Sequence, residues 1–318
     1  MKILCAVFDY SPEARPKLES YGDVTYAQLT QEELVMRIPE YDALFVRIGL
    51  EVNREVLEAG VKLKAVATAT TGLNHIDLEA ARERGVAILS LRGEEVFLDT
   101  ITSTAELAFG MLIDLMRYTP WAFESIKDYH LDLEAFRGRS LYGKTLGILG
   151  MGRLGKIIAE GAKAWRMNVQ FCDPNVPQEA FPDYKKVDFD TLLKESDAIT
   201  IHVHLGKDTE GMFTKEVFQK MKPSAYLINT SRGEILDEDA LLEALEKNVI
   251  AGYATDVLSR ELELLQDFSN HPLVEYAKKN RDCLIVPHTG GLTSDSRIGT
   301  DVFMAEKLGS YLGINILI

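Results

Sequence analysis

A glycine-rich turn near the middle of the chain is the feature that most constrains the fold. The apolar run 145–149 ends in Gly150-x-Gly152-x-x-Gly155, and a helix-like stretch, 156–165, follows it. In a strand–turn–helix unit, Gly150 allows the tight turn, Gly152 lets the backbone approach a pyrophosphate, and Gly155 lets the helix pack closely on its strand. The spacing therefore predicts a dinucleotide site with the pyrophosphate at the helix N-terminus.

An acidic residue after the next predicted strand supports this interpretation. The strand 167–172 ends at Asp173, which stands 18 residues after Gly155. An acid at this place accepts hydrogen bonds from the hydroxyl groups of the adenosine ribose and repels the 2′-phosphate of NADP. The alternative is that Asp173 and Pro174 form only a turn after the strand. Taken with the glycines, the acid favours dinucleotide binding, and NAD over NADP.

Composition and charge argue against several other classes of function. The 318 residues are 46% hydrophobic and 26% charged, which is typical of a globular protein long enough for two domains. The net charge of −14, with scattered basic residues, argues against nucleic acid or an anionic membrane surface as the main partner. The apolar N-terminus breaks at Asp9, too early for a signal peptide, and we expect no run of membrane-span length. Three widely spaced cysteines, Cys5, Cys172 and Cys283, predict reduced thiols in a cytoplasmic protein.

Apolar strands alternate with polar-faced helices along the chain, which predicts an α/β protein with parallel sheets covered by helices. Asp77 and Gly85 are typical of the N-cap and the C-terminal glycine of a helix, 78–84. Ser103 and Glu106 have the spacing of a capping box, which opens a long helix that ends before Pro120. The predicted strands are 3–8, 24–26, 43–46, 65–69, 86–89, 145–149, 167–172, 198–203, 225–229, 250–255 and 284–286, and the further helices are 156–165, 189–195, 215–221, 238–248 and 294–312.

The late position of the glycine turn divides the chain into domains. Residues 1–98 form an α/β segment without a glycine motif, 99–287 hold the glycine turn, and 288–318 add a closing helix. The economical arrangement joins the two ends in one domain and makes the middle segment the nucleotide domain. We expect a cleft between the two domains, where binding sites are common.

An aromatic arm, residues 121–141, separates the long helix from the glycine turn. Aromatic side chains on a charged background suit a segment that covers another surface, either its own domain or a second subunit, with the subunit slightly favoured. The aromatic residues are Trp121, Phe123, Tyr129 and Phe136.

Three segments place a charged or titratable residue just after an apolar strand. Arg232 follows the strand 225–229, Asp256 and then Glu261 follow 250–255, and His288 follows 284–286. The carboxyl ends of parallel strands line the cofactor crevice of such a sheet, so these side chains are candidates for the chemistry.

These segments resemble the motifs of the D-isomer-specific 2-hydroxyacid dehydrogenase family. So do Gly150–Gly155 with Asp173, and the stretch Thr71–Asp77, and the likeness covers nearly the whole chain in order and spacing. The resemblance implies a Rossmann-type NAD-binding domain inserted into a flavodoxin-like split substrate domain. It implies a homodimer that interconverts a D-2-hydroxy acid and a 2-oxo acid with NAD, of the phosphoglycerate-dehydrogenase-like kind without a regulatory domain. Substrates of the phosphoglycerate, hydroxypyruvate or glyoxylate type are expected.

The resemblance also implies roles for individual residues. Arg232 clamps the substrate carboxylate and polarises the carbonyl, His288 is the general acid–base, and Glu261 orients its ring. Backbone N–H groups around Thr71 and Gly72 hold the carboxylate from the other domain. The further positions matched to cofactor contacts are Arg153, Leu154, Val203, Thr230, Asp256 and Gly290.

Several residues keep two interpretations. Arg47 is a candidate for the distal group of the substrate or a solvent-facing charge. His202 and His204, two apart on a strand, could suggest a metal pair, but no third ligand is near and we predict no metal. The chain departs from the family pattern at Leu262, where proline is usual, with Glu263 as the alternative to Glu261. The other departures are Thr70, Ala108 and His204.

Two further functions are open. The chain could be an NADH-sensing binding protein, like the corepressors that share this fold and keep the same triad. It could also oxidise a small non-hydroxy acid such as formate or phosphite, which ranks lower because such relatives often depart from the Arg–Glu–His set.

Overall fold

The computed structural model describes residues 1–264 and 267–313, so that residues 314–318 of the predicted closing segment, and the side chain of Leu262, lie outside the described part. The strands are β1 Lys2–Cys5, β2 Asp23–Tyr26, β3 Ala43–Val46, β4 Ala65–Thr68, β5 Ala87–Leu89, β6 Thr145–Leu149, β7 Asn168–Cys172, β8 Lys185–Lys186, β9 Ala198–Ile201, β10 Tyr226–Asn229, β11 Gly252–Thr255 and β12 Cys283–Ile285. The α-helices are α1 Arg15–Glu19, α2 Gln31–Arg37, α3 Arg54–Ala59, α4 Leu78–Arg84, α5 Glu95–Leu98, α6 Ser103–Arg117, α7 Thr119–Lys127, α8 Arg153–Ala164, α9 Phe189–Glu195, α10 Lys215–Phe218, α11 Glu238–Glu246, α12 Glu261–Leu264, α13 Pro272–Ala277 and α14 Ser294–Tyr311.

The described chain forms two compact units. Unit 1 is residues 1–101 together with 292–313, and unit 2 is Thr102–Gly291. The sequence-based boundary at 287/288 therefore lies slightly too early. Residues 288–291 belong with unit 2 because β12 pairs with β11 and the turn after β12 is bonded to Asp256.

Unit 1 is a five-stranded parallel sheet with the strand order β2-β1-β3-β4-β5. This is the flavodoxin-like order of a doubly wound fold, as predicted. The strands β3 and β4 are buried along their whole length, since helices cover both faces. The Asp77 side chain accepts from the Ala80 N–H at 2.9 Å, and Gly85 is left-handed with φ 65°, so both predicted ends of α4 are confirmed.

Unit 2 is a seven-stranded parallel sheet with the order β12-β11-β10-β9-β6-β7-β8. Counted from β6, this is the dinucleotide-binding order with one more strand at the β12 edge, and the order reverses between β6 and β9. The Rossmann-type prediction is confirmed. The short edge strand β8 was not predicted, because two lysines carry no apolar signal.

The long helix α6 is a core helix of unit 2. Ala105, Leu112 and Leu115 are buried, and α6 packs on α8, β10 and β11. By length and composition alone, the described stretch 95–117 would suffice to cross a membrane, so our expectation of no run of that length is wrong. The capping box is also wrong. Thr102 is the N-cap, Ser103 is already helical, and the Thr102 hydroxyl donates to Glu106 at 2.5 Å.

The arm is partly helical. The predicted end of the long helix before Pro120 is confirmed, because α6 ends at Arg117 and Tyr118 is left-handed with φ 56°. Pro120 itself lies in the first turn of the next helix, α7, where a missing N–H is harmless. Phe136 packs under Arg281, whose guanidinium lies 4.6 Å from the ring centroid, so one part of the arm covers its own unit. The apolar side chains of the arm that stay exposed are Phe123, Ile126, Tyr129, Leu131 and Leu133.

Candidate active site

The glycine turn after β6 is shaped by the close approach of other backbone atoms. A Cβ on Gly150, which has φ 94°, would lie 2.6 Å from the His202 carbonyl oxygen, and one on Gly155 would lie 2.3 Å from the Gly150 carbonyl oxygen. A Cβ on Gly152 meets no atom within 4 Å. Two glycines are therefore needed by the fold itself, while Gly152 leaves open space at the N-terminus of α8. This space suits the approach of a pyrophosphate.

Asp173 lies beside this turn at the end of β7. Its Oδ2 accepts from the Met151 N–H at 2.9 Å, and its Oδ1 accepts from the Asn175 N–H at 2.9 Å. The bond to Asn175 is part of a local turn. The bond to Met151 joins the carboxylate to the glycine turn, and a residue that served only to form a turn after β7 would not need it. The carboxylate is thus fixed beside the glycine turn.

Two buried polar atoms lack hydrogen-bond partners at the carboxyl ends of the neighbouring strands β9 and β10. They are His202 Nδ1 and Thr230 Oγ1, among the described residues. His202 Nε2 lies 2.8 Å from Thr200 Oγ1, and burial lowers the pKa of His202 to about 4, so the ring is neutral at physiological pH. Buried polar groups are normally paired, so a ligand atom or an ordered water is the expected partner here.

Three further predicted cofactor residues lie around the same turn. Arg153 and Leu154 begin α8, and the Val203 side chain is within 2.9 Å of a Cβ built on Gly150. The sequence therefore selected one continuous region at the carboxyl edge of β6, β7, β9 and β10.

The three candidate catalytic residues follow neighbouring strands of the same sheet. Arg232 comes after β10, Glu261 after β11 and His288 after β12. His288 Nδ1 lies 2.6 Å from Glu261 Oε2, with about a third of each side chain exposed. Glu263, the alternative to Glu261, is 71% exposed and pairs with Arg260 at 3.7 Å. The geometry selects Glu261 as the partner of the ring.

The charges around His288 favour its protonated form. The hydrogen bond to Glu261 raises the pKa of His288, burial opposes it, and the Glu261 and Asp256 charges raise the pKa further. Arg232 is close enough to lower it. His288 therefore keeps its proton to higher pH than an unperturbed imidazole and is a candidate to release it to a bound molecule.

Asp256 accepts two backbone hydrogen bonds from the turn that carries His288. Its Oδ1 accepts from the Thr289 N–H at 2.6 Å and its Oδ2 from the Gly290 N–H at 2.8 Å. A Cβ on Gly290 would lie 2.8 Å from Asp256 Oδ2, so the contact needs glycine. Both Asp256 oxygens are thus engaged within the protein, and burial raises the pKa of this carboxyl. The arrangement points to the support of His288 more directly than to the cofactor contact that the sequence suggested.

The candidate substrate residues Arg47, Thr71 and Gly72 belong to unit 1, at the carboxyl ends of β3 and β4. The Thr70 hydroxyl donates to the Gly72 carbonyl at 2.8 Å, so the threonine that departs from the family pattern holds this loop. Thr71 is exposed at the surface of the unit.

Arg47 is not the solvent-facing charge of one interpretation, because its side chain is only 15% exposed. It binds the buried carboxylate of Asp301 and lies 3.6 Å from Asp9. Sequence reasoning missed Asp301, since its partner is 254 residues away and no local pattern marks it.

The other two described departures from the family pattern, Ala108 and His204, make no contact that bears on the candidate site residues. Ala108 is buried in the core of unit 2, and His204 is exposed. Among the described residues, no group of three or more His, Cys, Asp or Glu side chains could hold a metal ion. The structure also brings Glu234 and Glu238 next to the Glu261 loop, a placement that the sequence analysis missed. Their position just after Arg232 is the signal that could have found them.

Comparison with known proteins gives a consistent result. Residues 109–290 match the family model described as D-isomer specific 2-hydroxyacid dehydrogenase, NAD binding domain. The D-3-phosphoglycerate dehydrogenase of Archaeoglobus fulgidus is 35% identical over 282 residues, which are 88% of this chain and 51% of that protein. The chain thus spans about half the length of that relative. The hydroxypyruvate reductase of Thermotoga maritima is 34% identical over 292 residues, 92% of each chain.

A solved structure is similar over the whole chain. An acyclic imino acid reductase in complex with NADPH and D-Arg superposes with a TM-score of 0.84 and 25% identity, covering 100% of this chain and 99% of that one.

Proposed function

Because this chain belongs to the D-isomer specific 2-hydroxyacid dehydrogenase family, we propose that it is an oxidoreductase that interconverts a D-2-hydroxy acid and a 2-oxo acid with NAD. The observation that carries the proposal is the bonded pair of His288 and Glu261 beside Arg232, on the same sheet edge as the glycine turn. An acid–base group, a fixed cation and a dinucleotide site together supply what reversible hydride transfer to a carbonyl requires.

The roles of the residues follow from their chemistry. When bound, NAD supplies the hydride acceptor, and NADH the donor. During reduction, His288 gives its proton to the oxygen of the 2-oxo acid as the hydride reaches the carbon, and during oxidation it takes the hydroxyl proton back. Glu261 holds Nδ1, which leaves Nε2 for the substrate. Arg232 binds the carboxylate with its planar fork and polarises the carbonyl.

We propose that backbone N–H groups of the Thr71–Gly72 loop of unit 1 also bind the substrate carboxylate. Arg47 is proposed to meet the distal group of the substrate while it stays bound to Asp301. These assignments rest on the sequence match and on the location of the residues at strand ends of unit 1.

Substrates of the phosphoglycerate, hydroxypyruvate or glyoxylate type are proposed. The hydroxypyruvate reductase of Thermotoga maritima is the relative that matches over 92% of both chains, whereas the chain covers 51% of the phosphoglycerate dehydrogenase. We therefore begin the substrate panel with hydroxypyruvate and glyoxylate.

Asp173 supports NAD over NADP within this proposal. Its carboxylate is fixed beside the glycine turn, where it would repel a 2′-phosphate. The acyclic imino acid reductase, which binds NADPH, is a rival model for the cofactor. Parallel titrations with NADH and NADPH separate the two, and tighter binding of NADPH would overturn our assignment.

Replacing Arg232 with alanine tests the enzyme against an NADH-sensing corepressor-like protein. We expect kcat/KM for the oxo acid to fall by about 10- to 150-fold, because charge-assisted hydrogen bonds worth about 1.5–3 kcal/mol are lost. The NADH dissociation constant is expected to stay unchanged. Turnover is followed by the loss of NADH absorbance and binding by NADH fluorescence.

Arg137→Ala, at an exposed arginine, is the matched control. If the natural chain binds NADH but turns over no oxo acid of the panel, the sensor is the better hypothesis. If Arg232→Ala weakens NADH binding as much as turnover, the assignment of Arg232 to the substrate is wrong.

We also propose a homodimer that covers the exposed apolar side chains of the arm. A cluster of this kind marks an interaction surface. Sedimentation equilibrium at micromolar concentration is expected to give twice the mass of one chain, and the double change Leu131→Glu, Leu133→Glu the mass of one. A single-chain mass for the unchanged protein would exclude the dimer.

A cytoplasmic location is proposed on the state of the thiols. Cys5, Cys172 and Cys283 are free of disulfides, as a reducing compartment requires. Cell fractionation would test it.

A further inference from the structure

The loop that carries Glu261 is held by three carboxylates in succession. The Leu258 N–H donates to Glu261 Oε1 at 3.1 Å, the Ser259 N–H donates to Glu238 Oε1 at 2.8 Å, and the Arg260 N–H donates to Glu234 Oε1 at 2.9 Å. Three consecutive backbone donors thus each have a carboxylate acceptor. Bonds of this kind are shorter and stronger than those between neutral groups.

The same loop packs against the segment that carries Arg232. A Cβ on Gly233 would lie 2.1 Å from the Leu258 carbonyl carbon and 2.2 Å from the Ser259 nitrogen. The two backbones are therefore in direct contact at the residue after Arg232. Glu234 is the next residue along, so one short segment presents Arg232 and also binds the loop of Glu261.

Besides these bonds, Leu258 and Leu264 pack on the core of unit 2 at the two ends of this segment, but Glu261 itself lies in little regular structure. The helix α12, which it opens, is four residues long, and Arg260 before it is left-handed with φ 55°. A helix this short gives no independent support. Glu238 is itself fixed at the first turn of α11, where its other oxygen, Oε2, lies 3.5 Å from His271 Nε2.

We propose that Glu234 and Glu238 are positioning residues that hold the Glu261 loop against the Arg232 segment and so keep Glu261 in contact with the His288 ring. The kinetic test of these positioning roles rests on the proposed function, because it needs turnover of an oxo acid. The proposal places both glutamates outside contact with the substrate and the cofactor. Their effect reaches the reaction through Glu261.

The sign of the expected effect follows from the groups around His288. Glu261 and Asp256 favour its protonated form, while Arg232 and burial oppose it. If Glu261 is held less well, its contribution falls and the pKa of His288 falls with it. Reduction needs the protonated ring, so the fall of kcat/KM at high pH should begin at lower pH.

The test compares Glu234→Ala and Glu238→Ala with the natural chain. We expect kcat/KM for the oxo acid to fall about 5- to 30-fold in each, and its alkaline limb to move to lower pH, toward the profile of Glu261→Gln. Glu238→Gln keeps an oxygen acceptor for the Ser259 N–H and should restore the natural profile. Glu243→Ala, a partly exposed change on the same helix α11 that removes the ion pair to Lys215, is the control for charge and helix stability.

The pKa of His288, measured by NMR on the full-length protein, separates this proposal from the proposed function. A lowered pKa in the alanine variants supports the positioning role even if no substrate is turned over. An unchanged pKa and an unmoved alkaline limb would overturn it, whatever the loss of rate. Should Glu238→Ala fail to fold, Glu234→Ala gives the same decision.

Discussion

Replacing His288 with alanine is expected to lower kcat for reduction of the 2-oxo acid by about 10²- to 10⁴-fold, the usual contribution of a general acid–base group. The ring contacts Glu261 at 2.6 Å, and this bond raises the pKa of His288. Its loss removes the proton donor to the carbonyl oxygen and leaves the glycine turn untouched. Initial rates with saturating NADH and oxo acid measure the effect, and NADH fluorescence shows whether binding is retained.

His130→Ala is the matched control, because His130 is exposed in the arm. It should keep the natural rate. A His288→Ala protein whose kcat stays within tenfold of the natural value would mean that another group transfers the proton. The alkaline fall of kcat/KM should also disappear with the ring, so its survival would point to the same conclusion.

Gly155→Ala is expected to lower the stability of the fold, whereas Gly152→Ala is expected to lower the affinity for NADH. At Gly155 the new Cβ would lie 2.3 Å from the Gly150 carbonyl oxygen, a backbone atom that cannot turn aside. We expect a loss of about 1–3 kcal/mol of unfolding free energy, as for other overpacked sites, with weakened NADH binding as a consequence. At Gly152 the Cβ enters open space, and the folded apo protein should tolerate it.

The Gly152 variant is expected to lose NADH affinity because its methyl group occupies the space through which a pyrophosphate reaches the start of α8. Thermal unfolding with and without NADH measures both effects at once. Gly152→Ala should unfold near the natural temperature and gain little from NADH. Gly155→Ala should unfold several degrees lower, about 2–4 °C per kcal/mol for a domain of this size. If Gly152→Ala gains as much from NADH as the natural chain, the pyrophosphate does not lie at this turn.

The sequence predicted much of the fold because its strongest signals are local. The apolar run before Gly150 and the left-handed Gly85 each report on a few neighbouring residues, and all eleven predicted strands occur in the structure with small shifts at their ends. The candidate residues Arg232, Glu261 and His288 were found because each follows such a strand. Strand ends of a parallel sheet meet at one edge, so local pattern was enough to place them together.

What the sequence could not predict depends on contacts between distant segments. Asp301 binds Arg47 across 254 residues, and Asp256 holds the turn at Thr289 and Gly290. In neither pair does the local sequence around one partner indicate the other. The capping box was wrong for a local reason, since Thr102 and Ser103 are adjacent residues of types that both favour the N-cap position, and the helix begins after the first of them.

The backbone of His288 has a consequence for how this protein can be stabilised. A residue other than glycine at φ 52° is held in the left-handed region at about 1–2 kcal/mol, and here the bonds from Asp256 to the next two N–H groups offset that strain. Selection for thermal stability alone would favour glycine or asparagine at this position. Position 288 is therefore a place where changes that raise stability are expected to remove the proposed proton donor.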